Sequence, residues 1–402
     1  MFGQINHFLF LLFSFFFPLS VALGNLLIII ISVLWLFSGK LKEKFHLIKA
    51  NKFAMACIYF FVLHIISLLW TEDFYKGLER TKKMLEFGIY IPILLSIIKI
   101  KNIEKYLTMF LISIGIMVLT SYLIFFELIA PTKGSTINDP TPFMSHITYT
   151  PMIAIGFYLS SRFLLSMDSI SMKNNKAMTI FLVFISISSF INVFMTEGRA
   201  GYVILFILLS LLFFQAFGTN LKAIFLSIVS IAIVFFAAYL SSPTFKQKIQ
   251  STFDVTNNFS NIQNSSIGKR LIMADISIEI FKENFLFGTG VGDFEDDYKK
   301  IMLKKKLNNE IYTDIASSTK NPHNFYLLVA AELGFVGLLF LGYLFFAHFK
   351  LALTHKSMFK KDILISIGIC FLALNFSDSY FLGHFSSFLY LFFVSLLLSE
   401  RA

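Results

Sequence analysis

Hydrophobic positions in this chain fall in runs of roughly 15 to 25 residues, long enough to cross about 30 Å of hydrocarbon as helices. Short polar breaks separate them and predict spans near 8–22, 24–38, 53–70, 84–98, 105–129, 147–166, 177–195, 199–217, 221–240, 323–347, 361–376 and 382–399. The first two are divided only around Leu23, so one long kinked span competes with a pair there. Ala22-Leu23-Gly24 offers small residues for a signal cleavage site, yet no Lys or Arg precedes the apolar stretch, and it is read as membrane. The expected fold is all-α, a polytopic membrane protein of about twelve transmembrane helices. Nine belong to residues 1–240 and three to 323–402, with 241–322 as one long loop between spans 9 and 10.

Composition narrows the class. Of 402 residues, 56% are hydrophobic and 14% charged, against about 25% charged in a soluble domain; an ordinary soluble protein is excluded. A formal charge of +10 suits either a nucleic-acid partner or the cytoplasmic loops of a membrane protein. Twelve spans put both termini on one side. With the N-terminus in the cytoplasm, inner segments collect 17 of the 34 basic residues. Short outer loops hold Lys76, Arg80, Lys82, Lys83, Lys133 and Arg199, and 11 lie in 241–322. The excess is mostly topology, so no nucleic acid is expected. Cys57 and Cys370 sit inside apolar runs, which implies neither a disulfide framework nor a cysteine metal cluster.

The segment 241–322 breaks the membrane pattern, with 11 basic and 10 acidic side chains on the outer face, and function is expected here. Ile276, Ile280 and Phe281 follow a helical spacing with Asp275, Glu279, Lys282 and Glu283 between them. That is an amphipathic helix lying on the membrane or capping the spans, or simply a packed loop helix. Lys299 to Lys306 reads as a solvated face. Gly288, Gly290 and Gly292 alternate, but no strand precedes them as a dinucleotide fingerprint requires. They predict either a tight turn that brings backbone close to a neighbour, or a ligand contact by Gly290 and Gly292.

Asn321-Pro322-His323-Asn324 opens the tenth span. Asn before Pro predicts an N-cap and a first helical residue, placing His323 in the first turn, where exposed N–H groups favour a neutral, proton-accepting imidazole and attract anions. Glu332 is an acid within an apolar helix, a functional candidate by position, and Gly334 and Gly337 suggest close helix contact. Arg199 begins the eighth span, so its charge adds to a helix N-terminus instead of relieving it. Arg270 is a third cation source, just before the amphipathic helix. Together these residues predict a diphosphate at the outer leaflet, gripped by Arg199 and Arg270, with His323 beside it as base. The outer histidines His146, His323 and His384 lack metal-ligand spacing, so neither metal nor cofactor is expected.

Thr-Glu-Gly-Arg-Ala-Gly at 196–201, Ser-Ser-Ile-Gly-Lys-Arg at 265–270 running to Leu-Phe-Gly-Thr-Gly-Val-Gly-Asp-Phe at 286–294, and Pro-His-Asn-Phe-Tyr-Leu at 322–327 running to Ala-Glu-Leu-Gly-Phe-Val-Gly-Leu at 331–338 resemble the O-antigen ligase family, which includes O-antigen polymerases. The resemblance covers about 190–345. It implies a metal-independent, inverting glycosyltransferase of the bacterial inner membrane, with both termini cytoplasmic and its active site facing the periplasm. The implied donor is an undecaprenyl-pyrophosphate-linked glycan and the implied acceptor is the lipid A core, completing lipopolysaccharide, or a growing glycan in a polymerase. By motif, Arg199 and Arg270 would hold the pyrophosphate, Asn324, Gly290 and Gly292 would help bind substrate, His323 would assist the acceptor hydroxyl, and Glu332 would support. Gly198 stands where the family often has Ser. The alternative from another class is a transporter or flippase, which predicts midplane charges, broken helices and an internal repeat. No repeat relates the two halves.

Overall fold

The computed structural model describes residues 2–97, 103–166, 175–257, 266–308 and 319–398, and among these every regular element is helical. Ser265 of the second motif lies outside the described residues, as do Lys99, Lys101, Lys173 and Arg401 of the charge pattern. The first half runs through α1 (Phe2–Phe16), α2 (Val21–Phe37), α3 (Leu41–Ala50), α4 (Lys52–Ser67) and α5 (Phe74–Lys82), then a π turn (Glu86–Tyr90) leading into α6 (Ile91–Ile97). There follow α7 (Ile103–Phe125), α8 (His146–Leu164), α9 (Lys176–Val193), α10 (Arg199–Phe217) and α11 (Leu221–Ser241). The long loop supplies α12 (Pro243–Asn257), α13 (Ser266–Glu283) and α14 (Phe294–Asn308), and the chain ends with α15 (Phe325–Leu353), α16 (Met358–Ser377) and α17 (His384–Leu398).

Each of the twelve expected apolar runs overlaps a helix. Among the described residues five helices, α7, α9, α10, α11 and α15, are long and apolar enough to cross a bilayer alone, and α2 with α3 would make a sixth but bends by 119°. At the N-terminus the single kinked span gives way to a pair, because α1 and α2 pack against each other across the Phe17–Ser20 turn. Apolar surroundings leave no water for unpaired backbone groups, and the helix starts meet this locally. Asn51 Oδ1 accepts from the Phe53 and Ala54 N–H groups at 3.0 and 3.1 Å, and Asn220 Oδ1 accepts from the Ala223 N–H at 2.9 Å.

Phenylalanine fills the bundle. Phe10, Phe13 and Phe17 on α1 are fully buried with Phe110 on α7 and Phe388 and Phe392 on α17, at ring separations of 5.2–6.1 Å. The expected amphipathic helix is α13, which packs on α15 and α14 with Ile272, Ile276 and Ile280 buried. Asp275 and Glu279 on its outer face both pair with Lys305 of α14, at 2.7 and 2.8 Å. It caps the spans as a packed helix.

The helix α15 is broken, and the break positions everything near it. Gly334 has φ +64°, and a Cβ there would lie 2.5 Å from the Leu286 backbone, so both conformation and space require glycine. In an unbroken helix the N–H groups of Phe335 and Val336 would donate to the Ala331 and Glu332 carbonyls. Here Phe335 donates to Phe285 O at 2.8 Å and Val336 to Leu286 O at 3.1 Å, while the freed carbonyls accept from the Thr289 and Gly290 N–H groups at 3.0 Å each. The loop backbone is spliced into the helix ladder, and these two N–H groups and two carbonyls all find partners.

Candidate active site

The N-terminus of α15 departs from the spacing-based expectation. Its N-cap is Asn324, whose Oδ1 accepts from the Leu327 N–H at 3.1 Å, so neither Asn321 nor Pro322 begins the helix. The physical reason is tertiary. Asn321 Oδ1 accepts from the His323 N–H at 3.0 Å and the Ser379 hydroxyl at 2.7 Å, while its Nδ2 donates to Asp378 Oδ1 at 3.2 Å. His323 is thereby held one residue ahead of the helix with φ +52°, a left-handed conformation that costs a non-glycine residue about 1 kcal/mol or more. Asn324 also donates from Nδ2 to Phe376 O at 3.3 Å, which makes it a brace between α15 and α16.

Asp378 is the partner that the sequence did not announce. His323 Nδ1 lies 3.2 Å from Asp378 Oδ2, and the Ser379 N–H donates to Asp378 Oδ1 at 2.7 Å. An ionised carboxylate only accepts, so Nδ1 carries the proton and Nε2 is the basic nitrogen. Burial pushes the Asp378 carboxyl upward, but the His323 contact, the Ser379 N–H and the charge of Arg270 together hold it below the usual carboxylate range. Tyr380 donates its hydroxyl to Ile147 O at 2.7 Å, fixing this loop to α8.

Arg199 opens α10 as expected, behind an N-cap at Gly198. A Cβ at Gly198 would come within 2.2 Å of Thr150 Oγ1 and 2.7 Å of His146 O, and one at Gly201 within 2.2 Å of Thr150 Cγ2. The close seat of α10 on α8 therefore accounts for glycine where a serine was anticipated. Arg199 Nη2 donates to Ser251 Oγ of α12 at 2.8 Å, and Glu197 pairs with Lys248 at 2.5 Å. Arg270, exposed on α13, is near enough for its charge to act on Arg199, Asp378 and Tyr380. His323, Arg270 and Arg199 thus lie at one end of the bundle, Arg270 near both Arg199 and the Asp378 that meets His323.

Asp378, though not His323, Arg270 or Arg199 themselves, lines a cavity of about 360 Å³ together with Asn321, Ser379 and Tyr380, the cations Lys76, Arg80, Lys83 and Lys320, and the acids Glu79 and Glu295. Lys76, Arg80 and Lys83 were counted among the outer-loop charges but not singled out. Their spacing of three to four residues, which sets them on one helix face, was the available signal. Arg80 explains Glu332. The buried carboxylate lies 3.4 Å from Arg80 Nη2, which also donates to Lys320 O at 2.9 Å.

Gly290 and Gly292 serve backbone packing, the turn reading of the glycine motif. A Cβ on Gly292 would lie 2.4 Å from Gly77 N, and one on Gly290 2.6 Å from Thr71 Cα. Asp293, which is buried, anchors this turn by accepting from the N–H groups of Glu72 and Asp73 at 2.8 and 3.1 Å and from the Thr71 hydroxyl at 2.7 Å. Gly292 also borders the cavity; Gly290 is not among its lining residues.

Asp139, His146 and Glu197 place donor atoms within 4.8 Å of one another, close enough for a cation. Each is already engaged. His146 Nδ1 meets Asp139 Oδ2 at 2.8 Å, Asp139 Oδ1 accepts from the Glu197 N–H at 2.9 Å, and Glu197 holds Lys248. The cluster braces the loop that carries Arg199.

No curated protein matches the chain. Residues 182–342, from within α9 through the glycine turn and past the break in α15, match the model of the family described as O-antigen ligase.

Proposed function

We propose that the protein transfers a glycan from a polyprenyl-diphosphate carrier to an acceptor hydroxyl, as an O-antigen ligase whose acceptor is the lipid A core sugar. The observation that carries this reading is the convergence of the His323–Asp378 pair with Arg270 and Arg199 at one end of the bundle, where Asp378 also lines a cavity bearing both cations and carboxylates. In this reading Nε2 of His323 accepts the acceptor's proton as its oxygen attacks the anomeric carbon. The bond from that carbon to the diphosphate oxygen breaks, and the configuration inverts. Charge accumulates on the leaving diphosphate, where Arg199 and Arg270 face it in surroundings poorer in water than bulk. Asp378 acts as a positioning residue, fixing the tautomer and stabilising the imidazolium once formed. The side of the membrane follows from the charge partition: this end faces the periplasm of a bacterial inner membrane, with both termini in the cytoplasm.

One observation speaks for the transporter alternative, namely the broken helix α15 with its buried Glu332. In transporters such breaks expose backbone to a substrate cavity. Here the freed groups bond to residues 285–290 of the same chain and Glu332 is met by Arg80, which favours the transferase.

His323→Ala and Arg270→Ala should abolish glycan transfer in membranes while expression and insertion persist; normal attachment in both would refute the proposal. Ligase and polymerase separate on the lipopolysaccharide ladder after deletion. Loss of all attached O-chain marks a ligase, and a single attached unit marks a polymerase of the same family.

A further inference from the structure

The elbow between α2 and α3 carries charges that glycan transfer does not use. After α2 the chain turns through Ser38, Gly39 at φ +71° and Lys40 at φ +56°, and α3 then leaves at 119° to α2. That bend passes a right angle, so with α2 along the membrane normal α3 lies along the surface and tips back toward the bundle. A straight continuation would instead carry Lys40, Lys42, Glu43 and Lys44 into hydrocarbon, each a strongly unfavourable insertion. The elbow is also braced. Lys44 Nζ donates to Trp35 O at 2.6 Å and to Ser38 Oγ at 2.5 Å, closing the C-terminus of α2, and Trp35 Nε1 donates to Ser96 Oγ of α6 at 2.8 Å.

The faces of α3 are divided. Positions 41, 45 and 48 share one row of the helix; Ile48 is buried in the bundle, whereas Leu41 and Phe45 are 39% and 51% exposed. Lys42 and Lys49, seven residues apart, form a second row beside it, and Lys52 opens α4. Residues 40–52 hold five lysines and a single glutamate. Lys40 pairs with that Glu43 at 3.2 Å and Lys44 is spent on α2, while Lys42, Lys49 and Lys52 are exposed and have no acidic partner among the described residues. Exposed Lys350 adds to this surface, because the last turns of α15 stand beside the start of α4, where Phe53 meets the His348 ring at 5.8 Å. This is the end of α15 away from His323.

An exposed apolar row flanked by unpaired lysines along a membrane surface matches a leaflet with anionic headgroups, whose phosphates lie level with the ammonium groups when the apolar row faces the acyl chains. We infer that α3 and the start of α4 form a docking surface for anionic phospholipid, with Lys42, Lys49 and Lys52 on the phosphates and Leu41 and Phe45 against the chains beneath. Zwitterionic lipid offers the same hydrocarbon, so the lysines make the choice. The surface sets how this end of the bundle seats in the bilayer, apart from His323, Arg270 and Arg199.

Trp35 beside Lys44 is the reporter, and Trp70→Phe leaves it the one tryptophan in the chain. This parent protein, at full length, would be reconstituted in phosphatidylcholine with rising fractions of brominated phosphatidylglycerol or of brominated phosphatidylcholine, both of which quench a nearby indole. A lysine near an anionic surface is worth about fivefold in affinity, so the parent should favour the phosphatidylglycerol by about tenfold or more. Added salt should shrink that preference. Lys42→Gln, Lys49→Gln and Lys52→Gln combined should bring the two lipids within about twofold of each other. Equal quenching by both lipids in the parent, or an unchanged preference in the triple variant, overturns the inference. Inorganic phosphate at constant ionic strength should displace neither lipid; if it displaces the phosphatidylglycerol, the lysines form a plain anion site and the inference also falls. Should Trp70→Phe fail to fold, thermal unfolding of the natural chain gives the same comparison: phosphatidylglycerol should raise its melting temperature and leave that of the triple variant unchanged, and an equal rise in both overturns the inference.

Discussion

Arginines stand at both ends of this bundle, in opposite electrostatic company. At one end of α8, Arg162 is buried; its Nε and Nη2 both donate to Asp362 Oδ2 at 3.1 and 2.6 Å, and the Phe359 ring lies 5.8 Å away. Sixteen residues back along α8, about 24 Å by helix rise, His146 marks the level of Arg199, where a guanidinium bonds to a neutral serine and a second one, Arg270, lies close by. The first arrangement satisfies itself and ties α8 to α16. The second mixes like and unlike charges, since Arg270 and Glu197 both act on Arg199 and Asp378 lies within reach of Arg270. A charge count by side of the membrane cannot tell these apart, since it scores position and not company.

The comparison breaks first at His323. His323→Ala should slow transfer by about 10²–10⁴-fold, the usual worth of a positioned acid or base, with the purified protein's melting temperature unchanged. A matching fall in melting temperature would mean that this end is structural, like the other. Arg162→Ala should do the converse, destabilising by about 3–5 kcal/mol through an uncompensated buried Asp362, read as lost folded yield. Replacing both partners with Met and Leu should recover most of it. Transfer per folded molecule should stay near wild type throughout.

Gly334→Ala comes next, at about 1–3 kcal/mol from the forced left-handed backbone, plus whatever shift Leu286 must make. Thermal unfolding of the variant in detergent would measure it. The smallest effect concerns pH. Asp378 is held below the ordinary carboxylate range in the folded protein, so its contribution is present above that range and lost as pH falls through its lowered folded value. Hydrogen exchange of residues 319–324 should accelerate below about pH 4, and Asp378→Asn should already show the faster exchange at neutral pH.

Much of the fold was legible because apolar runs and helices are nearly the same thing in a membrane chain: α10 begins and ends where its run does. Arg199 opens α10 where spacing placed it, whereas Arg270, expected just before the amphipathic helix, lies inside α13, and His323 precedes the N-cap of α15. Pairings across sequence were not legible. Asp378 meets His323 from 55 residues away and Arg80 meets Glu332 from 252, and no periodicity encodes either. The helix start failed for the same cause, since Asn321 spends its side chain on Ser379 and Asp378 instead of capping. At Gly290 and Gly292 the tight turn is accounted for only once the neighbouring backbone of Thr71 and Gly77 is seen, and Gly292 borders the cavity as well.

The splice at Gly334 bears on how the chain is made. Residues 285–290 leave the ribosome before α15 does, so the carbonyls that will receive the Phe335 and Val336 N–H groups are already synthesised when that helix enters the membrane. Until they dock, α15 has two open rungs in hydrocarbon, each expensive to leave unpaired. Completion of this candidate spanning helix therefore waits on the docking of residues 285–290, and a chain that misplaces that segment leaves the Phe335 and Val336 N–H groups without their partners.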